Sequence, residues 1–174
     1  MRIPLSPVRA FALTAALAVA LAGCATAAQS TPAPGNGGAQ ATATVNTTSG
    51  PLGVYLTDSR GRAVYLWVAD TAGTSTCAGA CAATWPPLTT AGAPKAGSGV
   101  DAAKLGTVAR GDGTTQVTYD KHPLYLFALD MAAGDVKGQG STGFGAAWWL
   151  VTPDGTAITT PLPATDGGAP MGGY

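Results

Sequence analysis

Apolar residues crowd onto consecutive positions at two places in the chain, Tyr65-Leu66-Trp67-Val68-Ala69-Asp70 and Tyr125-Leu126-Phe127-Ala128-Leu129-Asp130. The two stretches align at an offset of 60 residues, and each closes on an aspartate. Along an extended chain successive side chains face opposite sides, so Tyr65 and Trp67 point one way and Val64, Leu66 and Val68 the other. In the second stretch Tyr125, Phe127 and Leu129 oppose Leu124, Leu126 and Ala128. Strands apolar on both sides are expected at the centre of a fold, covered on both faces. Each follows a turn-forming segment, Asp58-Ser59-Arg60-Gly61 or Asp120-Lys121-His122-Pro123, and each turn follows a short apolar strand, Val54-Tyr55-Leu56 or Val117-Thr118-Tyr119. Each copy therefore opens as a β-hairpin.

Further hairpins are predicted around Gly111-Asp112-Gly113 and around Pro153-Asp154-Gly155. Helix is expected only at Cys77 to Thr84, stopped by Pro86-Pro87, and at Val100 to Leu105. The resulting expectation is a mainly β domain. It is a small antiparallel sandwich or barrel made of two related hairpin-based repeats, with a short helical turn. Repeat one runs over about 51–100 and repeat two over about 106–160.

The N-terminal pattern is different. Met1 to Arg9 carry Arg2 and Arg9 and no acid, and Ala10 to Ala22 are apolar apart from Thr14. That run is shorter than the ~20 residues a membrane-spanning helix needs. A basic start, a short apolar run and small residues at its end predict an export signal, residues 1–23. Leu21-Ala22-Gly23-Cys24 resembles the lipobox of bacterial lipoproteins, which implies a diacylglyceryl group on Cys24 and an anchor on the outer side of the cell membrane. Ala25 to Gly50 is a low-complexity run, so residues 24–50 are expected to be a lipidated tether with a reach of ~30 Å. Residues 161–174, rich in proline and glycine, are expected to be a disordered tail.

The repeated Tyr-x4-Asp pattern is accompanied in the first copy by Cys77-x3-Cys81 and Ala82-Ala83-Thr84-Trp85-Pro86-Pro87-Leu88. The second copy carries Pro123-Leu124-Tyr125, Gly134-Asp135, Gly138-Gln139-Gly140 and Trp148-Trp149. Together these resemble the bacterial secreted-repeat lipoproteins defined by a Tyr-x4-Asp motif, over about residues 51–160. The resemblance implies an envelope lipoprotein and transfers no activity.

Composition narrows the chemistry. With the signal removed the chain keeps seven basic and nine acidic residues, a formal net charge of −2, which offers no footprint for nucleic acid. Cys77 and Cys81, four apart in one helical turn, would place their Cα atoms ~6 Å apart, within disulfide range. An exported protein meets oxidising conditions, so a structural staple is expected; the alternative is a redox pair or a copper site assisted by Met131 or His122. The spacing fits neither thioredoxin-like nor haem-attachment motifs. His122 is the sole histidine, so neither a histidine-based triad nor a multi-histidine metal site is expected. No cofactor is expected, and Gly138-Gln139-Gly140, loosely like a phosphate loop, lacks the lysine and strand-helix context of one.

Asp70 and Asp130 end matching strands, where aspartate accepts bonds from amides further on and starts a turn. If a pseudo-two-fold axis relates the repeats, both could reach one cleft, joined by Asp135, and hold a cation or cationic ligand. Trp148 and Trp149 are adjacent on a strand and must face opposite sides, leaving one nearer the surface to stack on a sugar or peptide. The functional expectation is a non-enzymatic, membrane-anchored envelope module, with Trp148, Trp149 and Asp135 as a possible surface for a wall component or partner protein.

Overall fold

A computed structural model describes residues 41–162. In chain order its elements are β1 (Thr44–Gly50), β2 (Gly53–Asp58), β3 (Tyr65–Trp67), α1 (Ala80–Thr84) and β4 (Lys95–Ala96). Then follow β5 (Leu105–Ala109), β6 (Thr115–Tyr119), β7 (His122–Pro123) and β8 (Trp148–Leu150), with 3-10 turns at Ala102–Lys104 and Gly143–Gly145. The architecture is mainly β, in three small sheets ordered β2-β1-β4, β3-β8 and β5-β6-β7, and among the described residues no barrel closes. Pairing is antiparallel except between β1 and β4. Residues 1–40, with Cys24, and 163–174 lie outside the described residues, and so do the expected signal, lipidation site and most of the tail.

The expected tether is too long by at least seven residues. Thr44–Gly50 is strand, paired with β2 over its full length from Val45↔Asp58 to Gly50↔Gly53. Val45 is its one fully buried side chain, so the strand is held mainly by backbone pairing. Low-complexity composition hides such a strand, because pairing needs no apolar side chain.

A pseudo-two-fold axis passes between β3 and the strand segment at Tyr125. There Tyr65 N donates to Tyr125 O at 2.8 Å and Tyr125 N to Tyr65 O at 2.9 Å. The flanking bonds come in matched pairs. Val64 N donates to Leu56 O, and Leu124 N to Val117 O. Leu56 N donates to Val151 O, and Val117 N to Leu88 O. Val68 N donates to Ala147 O, and Ala128 N to Thr84 O. The last two pairs join different repeats. The Trp148–Val151 segment of repeat two completes the hairpin of repeat one, and the Trp85–Leu88 segment of repeat one completes the hairpin of repeat two. Each repeat thus closes on the other's last segment.

The alternation expected for the central strands holds over most of their length. Val64, Leu66, Leu124 and Leu126 join Val45, Leu56, Leu88, Val117, Tyr119 and Val151 in one core cluster. Tyr65, Tyr125 and Phe127 join Tyr55, Cys77, Cys81, Trp85, Trp148 and Leu150 in a second, on the other face. The ends depart from the pattern. Val68 and Leu129 are 57% and 42% exposed, because the chain bends away at the aspartate turns.

Candidate functional site

The aspartates of the repeated motif sit just past the central strands, and the axis carries each to the tyrosine of the other copy. The Tyr65 hydroxyl donates to Asp130 Oδ2 at 2.6 Å, and the Tyr125 hydroxyl donates to Asp70 Oδ2. Both aspartates are buried, and their remaining oxygens anchor the turns that follow. Asp70 Oδ1 accepts from the Thr76 amide at 2.8 Å and its hydroxyl at 2.7 Å. Asp130 Oδ1 accepts from the Lys137 amide at 2.9 Å. The motif is therefore a reciprocal lock between repeats. Asp70 and Asp130 do not meet in one cleft, which sets aside the shared cation site. Among the described residues no group of three or more His, Cys, Asp or Glu side chains converges as a metal site.

Burial, reinforced by the negative charge of Asp130, raises the Tyr65 hydroxyl far above the usual phenol range. Burial and the Asp70 bond push Tyr125 up to about 12. Burial also raises Asp130, against the Tyr65 and Lys137 hydrogen bonds that lower it. The two tyrosine hydroxyls therefore keep their hydrogens at neutral pH, as donors in a structural hydrogen bond must.

Between the two locks lies a ladder of aromatic rings. Trp148 is fully buried and stacks on Trp85 at 3.9 Å between centroids and on Trp67 at 5.1 Å. Tyr65 meets Trp85 edge-on at 5.4 Å, and Tyr125 meets Trp148 edge-on at 5.2 Å. Gly138 makes the ladder possible, since a Cβ there would lie 2.7 Å from the Trp85 ring. Of the tryptophan pair offered as a ligand surface, Trp148 is core, its Nε1 donating to Gly143 O at 2.9 Å. Trp149 is the partly exposed member. Asp135, the third member, accepts from the Met131 and Ala132 amides and pairs with Lys137 at 2.9 Å, which lowers its carboxyl.

Cys77 and Cys81 form a disulfide with Cα atoms 5.3 Å apart, inside the aromatic cluster. The segment leading into the staple carries Ser75, Thr76 and the Cys77 carbonyl. Buried Arg110 holds that segment, donating to Ser75 Oγ at 2.5 Å, Cys77 O at 2.7 Å and Gln116 Oε1 at 2.9 Å. Ser75 in turn bonds the Tyr125 hydroxyl at 2.8 Å. Arg110 and Gln116 were not expected from the sequence. A glutamine on the Thr118 side of an otherwise buried strand was the available signal. His122 is half-buried in β7, and Met131 is 81% exposed, at a turn.

Two adjoining clefts of about 260 and 290 Å³ open beside the first hairpin turn, sharing Arg60, Arg62 and Leu126. Asp58 accepts from the Arg62 guanidinium at 2.8 and 2.9 Å and from the Arg60 and Arg62 amides. No expectation from the sequence pointed to these residues.

The fold and the locks together define a class: a tandem-repeat β protein whose halves exchange closing segments and interlock through Tyr–Asp pairs. The chain belongs to the family described as a secreted repeat of unknown function, whose model matches residues 44–89 and again 106–152. The first match begins at β1, in line with the shortened tether. Comparison with curated proteins and with solved structures finds no match.

Proposed function

We propose that the protein is a cell-envelope lipoprotein, held through lipid on Cys24, whose folded domain is a non-enzymatic binding module. What supports the absence of catalysis is the reciprocal lock. The motif's recurrent polar side chains, Tyr65, Asp70, Tyr125 and Asp130, are tied to one another and to local backbone, and none is free for acid, base or nucleophilic work. The anchor rests on Leu21-Ala22-Gly23-Cys24 behind a short apolar run. Among the described residues no helix is long and apolar enough to cross a membrane. A redox or copper role for Cys77 and Cys81 has less support, because the two sulfurs are bonded to each other and both cysteines are buried.

Fractionation tests the anchor. The natural chain should sediment with membranes and carry a lipid-sized mass increment on its Cys24 peptide, while Cys24→Ala should appear in the medium. Recovery of the natural chain in the medium, without added mass, would refute the anchor. Co-sedimentation of the protein with isolated envelopes tests the binding role separately.

A further inference from the structure

The two repeats match in backbone but not in what fills the space beside their hairpins. In repeat one the turn is Ser59-Arg60-Gly61, between the Asp58 N to Arg62 O bond and the positive φ of Gly61. In repeat two it is the two-residue turn Asp120-Lys121, both at positive φ, between Tyr119 and His122. The matched hydrogen bonds make Tyr119 the counterpart of Asp58, and Trp149 the counterpart of Pro86. Repeat two therefore carries two large aromatics, both packed on the core cluster around Leu124 and Val151. Repeat one carries an aspartate and a proline, and the clefts open beside its hairpin turn, the second bounded on its other side by residues 126–133 of repeat two.

The charges beside those clefts are unequally satisfied. Asp58 is saturated by Arg62 and two amides. Asp130 is saturated by the Tyr65 hydroxyl and the Lys137 amide. Arg60 lines both clefts, is exposed, and has no carboxylate partner among the described residues. The second cleft is of mixed lining, with the apolar Pro86, Leu126, Phe127 and exposed Met131 beside Arg62 and Asp130.

We propose that this groove binds a small amphipathic anion, its carboxylate or phosphate on the Arg60 guanidinium and its apolar body over Pro86, Leu126 and Phe127. Guanidinium suits either head, because its fork of N–H donors matches both oxygen geometries. The inference deepens the binding-module reading and is independent of the anchor.

The test is calorimetric titration of the natural protein at low salt with decanoate, decyl phosphate, inorganic phosphate and decanol, the amphiphiles kept below micelle formation. One or both anionic amphiphiles should bind at one site, at least ~10-fold more tightly than decanol or inorganic phosphate, the scale of one charge-assisted hydrogen bond. Which head binds better identifies the source as a fatty acid or a phospholipid fragment. Arg60→Glu should abolish binding, and Lys121→Glu in the matching turn of repeat two should leave it unchanged. Pro86→Trp, which copies repeat two into repeat one, should block the site; the near-ultraviolet signal of the tryptophan ladder reports folding of each variant. Equal affinity for decanol, equal loss in Lys121→Glu, or no binding at all overturns the groove assignment. If envelopes still retain the protein in those cases, the binding-module reading survives without the groove; if they do not, both fail.

Discussion

Repeat one and repeat two share a backbone plan, a tyrosine and an aspartate, yet they divide the labour of the molecule differently. Repeat two is filled: Tyr119 and Trp149 close the space beside its hairpin, its turn is the tighter of the two, and Asp120 packs so close to Gly155 that a Cβ there would come within 2.5 Å. Repeat one is open at the matching place and stapled elsewhere, by Cys77–Cys81 and by the Arg110 network that grips its loop. Residues common to both halves serve the fold. Some differences serve the fold as well, the staple and the Arg110 network among them, while the opening beside Arg60 is the one the proposed groove uses.

The largest effect is expected from separating what the repeats exchange. Residues 41–101 and 102–162, produced apart, should each lack a cooperative thermal transition, because each lacks the segment that completes its hairpin. Mixing them should restore one. A fragment that folds alone would contradict the exchange. Next in size is the ladder. Trp148→Ala removes the ring stacked on both sides and should cost about 3–5 kcal/mol in denaturant unfolding. Trp149→Ala, one residue along but partly exposed, should cost about 1 kcal/mol.

The locks should differ in a smaller and more telling way. Tyr65→Phe leaves buried Asp130 with the Lys137 amide alone, whereas Tyr125→Phe leaves Asp70 with both the amide and the hydroxyl of Thr76. Tyr65→Phe should therefore be the costlier of the two, at about 1.5–3 kcal/mol, the scale of a hydrogen bond to a charged group. Its cost should also depend on pH. Burial holds Asp130 above its unfolded value, so the ionised form is disfavoured in the native state and the Tyr65 hydroxyl offsets part of that penalty. The offset exists only while Asp130 is ionised. The gap between the natural protein and Tyr65→Phe should be widest near neutral pH and narrow as pH falls through the Asp130 range toward about 4, the unfolded carboxylate value. A gap that does not change with pH would show that the hydroxyl contributes by packing alone.

Much of the fold is legible in the residues. Alternation on both faces of Tyr65–Val68 and Leu124–Leu129 identifies the central strands, glycine-rich turns place the hairpins, and Cys77-x3-Cys81 next to Pro86-Pro87 locates the stapled helical turn. Partnership is what the pattern leaves out. Periodicity tells which way a side chain faces and not which strand it will meet, so nothing in the spacing of Tyr65 and Asp70 says that each belongs to the other copy's partner. The same gap explains β1, whose Thr44-Val45-Asn46-Thr47 offers one buried residue and relies on backbone pairing with β2. It also explains Trp148, whose burial depends on Trp67 and Trp85 arriving from distant parts of the chain.

The exchange of closing segments has a consequence for ancestry. A lone repeat of this design could complete its hairpin only on a second copy, which makes it an obligate symmetric dimer with every feature duplicated. Joining the copies in one polypeptide turns that encounter into an intramolecular step, so folding no longer depends on how much of the protein the cell makes. It also releases the halves from identity. A gene for the single repeat must spend every mutation twice, whereas the tandem gene can widen one turn and keep the other shut.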